Sequence, residues 1–393
     1  MTTTQRRYDL DWLRIIAFGL LIFYHIGMFY VTWGWHVKSD HAGPAIEPLM
    51  RLVNPWRLDL LFFISGVATR FMAEKMSAPA LALSRFNRLF WPLLFGMLVI
   101  VAPQTFFQIR QQLGYDGTFL DFYAKYLTHF KGWCVPDGCL AVPTWNHLWY
   151  VVYLLAYSLI FAALWPLLKR IPMTWAKNLP SWFYIALPVV FYWFGDYYLD
   201  PIFPQTHAFV GDWYVHYDSA GFFLMGVLAA RFDRLFDIAR RLRFLSLLAG
   251  AASWLAVEYL RVLWAAGGIS IPTAELIGNP LESAQAVFLM LALLGFARHH
   301  LAHADGPLRR TLTEAIFPFY IVHQTLIVVA AYTLNQFHWP VVLEASALIA
   351  ITIGGCALTY LIVKNIPLLR PLFGMPFQAK PNPIPIESQQ ETA

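Results

Sequence analysis

Tyr8–Trp33 reads YDLDWLRIIAFGLLIFYHIGMFYVTW. From Ile15 onward the stretch is long and apolar enough to cross a bilayer core as one helix. Arg14 and His25 stand eleven residues apart. At 3.6 residues per turn that is three turns with about 20° left over, so both project from one face, roughly 16 Å apart along the axis. Asp11 lies about 60° round from Arg14, at the same end. Two plainer readings exist: Arg14 snorkels to headgroups, and His25 is a hydrogen-bonded packing residue. A helix with Asp, Arg and His along one side is unlike one that turns that side to lipid, and it reads as the wall of a functional site.

The rest of the chain agrees with a membrane setting. Of 393 residues 59% are hydrophobic and only 13% charged, and apolar runs of membrane-spanning length recur throughout. The fold class expected is all-α: a polytopic helix bundle with ten spans at about 11–33, 55–75, 87–108, 147–168, 181–199, 213–231, 243–264, 281–301, 314–334 and 340–364. With the N-terminus inside, 21 Lys and Arg fall on the inner side and 7 on the outer. That bias predicts cytoplasmic termini. The net charge of +5 is spread over several loops and argues for orientation, not nucleic-acid binding. Arg6 and Arg7 before an apolar run resemble a signal peptide. No small-x-small site follows, so the helix is expected to stay in the mature protein. Residues 1–371 read as the transmembrane domain and 372–393 as a loose cytoplasmic tail.

The outer loops carry acids and aromatics: Asp116, Asp121 and Asp137 in 109–145, Asp200 and Asp212 in 200–212. They suit either an interfacial belt or a platform on which sugar rings stack. Cys134 and Cys139 share the longer loop, where a disulfide is open to them; His129 and His147 flank them, which keeps a metal site as an alternative. Cys356 reads as packing.

Several segments carry polar groups into the spans. Asp59, Phe63, Gly66 and Arg70 line one face of the second, where Ser65 and Gly66 also permit close helix contact. Asp59 needs a partner there, from Arg57 or a histidine. Arg85 and Arg88 are one turn apart at the inner edge of the third, a spacing that suits phosphate oxygens but also ordinary inner-loop basicity. His147 and Trp149 open the fourth span. Tyr320 and His323 share a side of the ninth, and Glu314 sits half a turn from His323, poorly placed to partner it.

Together these residues resemble the acyltransferase-3 family of polytopic membrane acyltransferases. The family pattern D-x-L-R with a later His matches Asp11, Leu13, Arg14 and His25, with Trp12 in place of a small residue. The FF-x-SG segment matches Phe62 to Gly66, the R-x-x-R pair Arg85 and Arg88, H-L-W His147 to Trp149, and Y-x-x-H Tyr320 and His323. The five occur in order across almost the whole chain. PWRLDLLFFISGV and FPFYIVHQTLIVV most resemble the glucan biosynthesis branch, which succinylates osmoregulated periplasmic glucans. The resemblance implies a bacterial inner-membrane enzyme that moves an acyl group from cytoplasmic acyl-CoA to a hydroxyl of a periplasmic glycan. Succinyl-CoA is favoured over acetyl-CoA as co-substrate, no tightly bound cofactor is expected, and partners in envelope glycan synthesis are open. Arg14, Arg85 and Arg88 are assigned to CoA phosphates. His25 is assigned as general base or acyl carrier, Asp59 as its orienter, and His323 as a contact to acceptor or thioester. Asp11, Tyr320, His147 and Trp149 are assigned to substrate. A transporter is the rival reading, although no repeated half is visible; a non-catalytic scaffold is the other.

Overall fold

The computed structural model describes residues 6–135, 138–171 and 179–377. Asp137, Lys177 and residues 378–393 of the expected tail lie outside the described residues. Thirteen α-helices follow in chain order: α1 (Tyr8–Tyr30), α2 (Glu47–Val53), α3 (Arg57–Ala73), α4 (Ala78–Phe95), α5 (Ala102–Leu113), α6 (Phe119–Leu127), α7 (Trp149–Leu168), α8 (Phe183–Phe194), α9 (Trp213–Ala229), α10 (Asp233–Ala265), α11 (Ile271–His300), α12 (Pro307–Asn335) and α13 (Val341–Asn365). The only strand pairing among the described residues joins Cys134–Val135 to Gly138–Cys139.

Among the described residues seven helical segments are long and apolar enough to cross a membrane. Three more of the ten expected spans correspond to α3 and α9, of 17 residues each, and to α8, 12 residues extended by a π-helical turn at Gly195–Leu199. A 17-residue helix is about 25 Å long, slightly short of a hydrocarbon core of about 30 Å.

The third expected span is longer than its sequence reading. Ser77 caps α4, and α4 runs on through a π-helical turn (Gly96–Ile100) into α5, a single 36-residue rod that ends at Gly114, whose φ of 64° is the left-handed stop a helix favours. A π turn loosens carbonyls that lipid cannot solvate. Here Tyr126 donates to Met97 O (2.7 Å), Tyr123 to Leu98 O (3.0 Å) and Thr325 to Ile100 O (2.6 Å). Two of these donors come from α6, so the outer loop is tied to the irregular turn. Phe122, Tyr126 and Trp133 of that loop are fully or nearly buried with Phe106 and Val142. They form a small core, which corrects their reading as an interfacial belt or sugar platform. Cys134 and Cys139 are disulfide-bonded, and His129 bonds Val142 O instead of a shared ion.

α1 packs against α12, α11 and α3. Its inner end is pinned by Asp11, which accepts from Arg309 of α12 at 2.6 Å and from Arg6 at 3.0 Å. Its outer end is closed by Lys38, whose ammonium donates to Met28 O and Val31 O, both at 2.7 Å. Those terminal carbonyls have no partner within the helix. Burial pushes Lys38 down to about 8, with Glu47 opposing it. Past Pro371 the chain is still packed: Phe373 and Met375 are buried.

The Ser65–Gly66 step serves close packing, as the plainer reading expects. A Cβ on Gly66 would stand 2.0 Å from Phe223 O of α9, and one on Gly226 2.0 Å from Phe63 O of α3. Each glycine thus lets the other helix's backbone approach, which holds Asp59 of α3 opposite α9. Gly226→Ala is expected to cost about 3 kcal/mol, read as a lowered thermal unfolding midpoint in detergent. An unchanged midpoint would contradict the close approach.

Candidate functional site

A cavity of about 610 Å³ opens between α1, α3, α7, α9 and α12, lined among others by His25, Arg57, Asp59, His147, Tyr150 and Tyr320. Its roof is the 200–212 loop, from which Gln205, Thr206 and His207 face inward. Asp212 holds that roof: it is buried and accepts from Tyr153 Oη (2.5 Å), Thr206 N (3.1 Å) and His207 N (2.9 Å). Asp212 thus spends its oxygens on donors of the roof itself. Burial lowers His207 to about 4, with the neighbouring Asp212 opposing, and its ring rests on Trp149 at 4.1 Å.

The proton pattern of the imidazoles follows from their partners. His323 Nδ1 lies 2.7 Å from Tyr320 O; a carbonyl only accepts, so Nδ1 carries the hydrogen. In the neutral ring Nε2 is then an acceptor. It lies 2.8 Å from His25 Nδ1, which must donate. His25 Nε2 is left with its lone pair, on a side chain that lines the cavity. The two ring planes are within 5° of parallel. His323, the expected contact to acceptor or thioester, is thus the group that orients His25.

His147 faces the same pair edge-on, 5.0 Å from His323, but both its nitrogens are occupied. Nε2 donates to Ile321 O (3.1 Å), and Nδ1 accepts from Gln104 Nε2 (3.4 Å). Gln104 also bonds Thr325, Asn146 and Gln324, and Gln324 reaches His36 at 2.9 Å. Such a connected network fixes its members in place. Sequence reasoning missed Gln104, Gln324 and His36. The stripe Gln104, Gln108, Gln112 at helical spacing was the signal available.

Asp59 does not meet His25. It lines the cavity together with Asp218 of α9 and Arg57, and its Oδ2 is buried without a hydrogen-bond partner. The expected partner Arg57 is thus a neighbour in the same chamber, in no ion pair with it among the described residues. Asp11, expected at the substrate, pins the helix end through ion pairs of its Oδ2 with Arg309 and Arg6. Glu314 bonds Tyr360 and Arg370, away from His323.

Inward of the cavity, Arg14, Arg85 and Arg88 stand close enough to feel one another's charge. None is in an ion pair among the described residues, and Arg14 Nε is buried without a partner. Arg85 is buried and touches Ser158 at 3.4 Å; Arg88 is exposed. Arg14 and Arg85 are also near Tyr150, which lines the cavity. Between guanidinium groups and imidazoles lies a partition of three buried rings: Phe18, 6.2 Å from Tyr150 and 5.2 Å from Tyr320, with Tyr150 and Tyr320 6.1 Å apart. Tyr320 gives its hydroxyl proton to His147 O (2.5 Å), so only its ring is free to meet a ligand. Trp149 is committed in part to His207.

The sequence model of a family described as an acyltransferase domain, acyltransferase-3, matches residues 7–363. No curated protein and no solved structure matches the chain.

The roof is expected to be sensitive to acid. His207 binds its proton more weakly folded (about 4) than unfolded (near 6.5), so the unfolded loop takes up protons first and stability falls as pH drops from about 6.5 towards 4. Amide exchange in 200–212 should speed up over that window, and His207→Gln should remove the dependence. A flat profile in the parent protein would contradict the assignment.

Proposed function

The chain belongs to the acyltransferase-3 family, and from that premise we propose that it moves an acyl group from cytoplasmic acyl-CoA to a hydroxyl on a glycan across the membrane. Both termini are taken as cytoplasmic and the membrane as the bacterial inner membrane. Succinyl is favoured over acetyl on the resemblance to the glucan-succinylating branch. The observation that carries the reading is the pairing of two sites on one axis. Three arginines that are in no ion pair among the described residues gather on the side assigned to the cytosol, with Asp11 acting on Arg14 from its own helix, and an imidazole with a bare nitrogen lines the cavity beyond the aromatic rings. Three like charges outnumber that one acid and repel, and an anion relieves the repulsion. The phosphates of CoA suit them, and an extended pantetheine arm suits the roughly 16 Å between Arg14 and His25.

In the proposed step the acceptor hydroxyl enters beneath the 200–212 roof and gives its proton to His25 Nε2. Its oxygen attacks the thioester carbonyl, the carbon–sulfur bond breaks, and the departing CoA sulfur takes the proton from the imidazolium. His323 supports this as a positioning residue: by accepting from Nδ1 it keeps Nε2 the basic nitrogen and stabilises the charged ring. Trp145 and Trp149 offer flat apolar faces, and Asp59, Asp196 and Asp218 offer oxygens, for a sugar ring in the cavity.

His25→Gln is expected to lower acyl transfer by about 100-fold or more, read as thiol release from acyl-CoA in proteoliposomes holding a glucose oligosaccharide. His323→Gln should lower kcat by about 10-fold to 100-fold, with KM for acyl-CoA little changed. Arg85→Ala with Arg88→Ala should instead raise that KM at least about 10-fold. Full transfer by His25→Gln, or movement of intact substrate without thiol release, would overturn the reading, the second in favour of a transporter.

A further inference from the structure

One cation in the cavity has no part in the step just described. Arg57, the first residue of α3, lines the same chamber as His25. Its Cζ lies 3.6 Å from the centre of the Tyr24 ring, and that ring lies 6.1 Å from His25. The guanidinium can therefore be no further from the imidazole than those two lengths laid end to end, and its field acts on His25. Nη1 donates to Asn54 O at 2.7 Å and to Asn54 Oδ1. Nε is buried and has no partner, and the group is in no ion pair among the described residues. A buried donor left unpaired costs free energy that a ligand acceptor recovers. A guanidinium shelved on an aromatic face keeps its fork in one plane, the shape a carboxylate accepts.

We infer that Arg57 is the receptor for a carboxylate at the far end of the transferred acyl group, so that it selects a dicarboxylic acyl donor over a neutral one. This rests on the acyl-transfer reading above. The alternative anion, a charged acceptor, fits the chamber worse. Asp59, Asp196, Asp218 and Glu282 line it beside Arg57, and an acidic acceptor spread through the cavity would meet them. A short diacid confines its charge to one spot: in a four-carbon chain the far carboxyl carbon lies about 4 Å from the thioester carbon. Arg57 stands on the Tyr24 side, next to the imidazole, where such a group would end. A site with a guanidinium waiting also rejects a neutral chain of equal length, because the cation then stays buried without its partner.

The test compares succinyl-CoA with butyryl-CoA, which has the same four carbons and no second carboxylate, as donors to a glucose oligosaccharide in proteoliposomes. The wild-type protein should favour succinyl-CoA in kcat/KM, and Arg57→Met should reduce that preference on the order of 100-fold. Arg57→Lys keeps the charge but loses the fork, so the preference should fall part of the way; it carries the test if Arg57→Met does not fold. A parallel loss with both donors would overturn the inference in favour of an oxyanion or acceptor contact. An unchanged ratio would reduce Arg57 to a packing group on Tyr24, and a wild-type protein without preference would refute the inference outright. No thiol release from any acyl-CoA would instead remove the acyl-transfer reading itself.

Discussion

The hydrogen bond from His323 Nδ1 to the carbonyl of Tyr320 runs in one direction only, because a carbonyl has no proton to give. In water such a bond sets little, since solvent offers alternatives at every turn. Inside a bundle those alternatives are gone, and each neutral ring must pass the constraint to its neighbour. His323 Nε2 accepts, His25 Nδ1 donates, and the nitrogen left over on His25 belongs to a cavity-lining side chain. One backbone carbonyl therefore decides, through His323, which nitrogen of a histidine 298 positions before that ring is basic. The same logic holds His147 with both nitrogens occupied, so the three clustered imidazoles are not equivalent.

Charge is arranged with similar economy. The acids that could neutralise the inner arginines are used elsewhere: Asp11 on Arg309 and Arg6, Glu74 on Arg70 and Arg231, Glu314 on Arg370. Arg14, Arg85 and Arg88 are left as a cluster of one sign, and Arg57 as a lone cation among carboxyl groups. Cationic groups held in no ion pair keep their attraction for anions, and the bundle has such groups in two places, with Arg85 buried outright. The three buried rings of Phe18, Tyr150 and Tyr320 pack together between the two places.

The scaffold supports that arrangement through backbone contact. Gly66 and Gly226 bring the backbones of α3 and α9 together, with Asp59 of one and Asp218 of the other both lining the chamber. The π turn between α4 and α5 leaves carbonyls that α6 and α12 must satisfy. In both places an irregular or crowded backbone lies beside the chamber, where the polar side chains around it have partners to offer.

How much of this was legible in the residues divides along the range of the forces involved. Helix periodicity is local, so the apolar rods, the common face of Arg14 and His25, and the pairing of Arg85 with Arg88 could be read from spacing alone. Motif order across the chain was enough for the family. Contacts between helices leave no such trace: nothing near His25 announces His323, nothing near Asp59 announces that Asp218 lines the same chamber, and Arg57 stood out only as a candidate partner of Asp59. Which side chains meet is decided by how rods of similar apolar surface pack against each other, and that depends on small residues and backbone irregularities many positions away. The sequence by itself determined a membrane bundle with a charged and an imidazole-bearing wall. Only the tertiary structure decided which histidine is free, which acids are already engaged, and which arginine waits in the chamber.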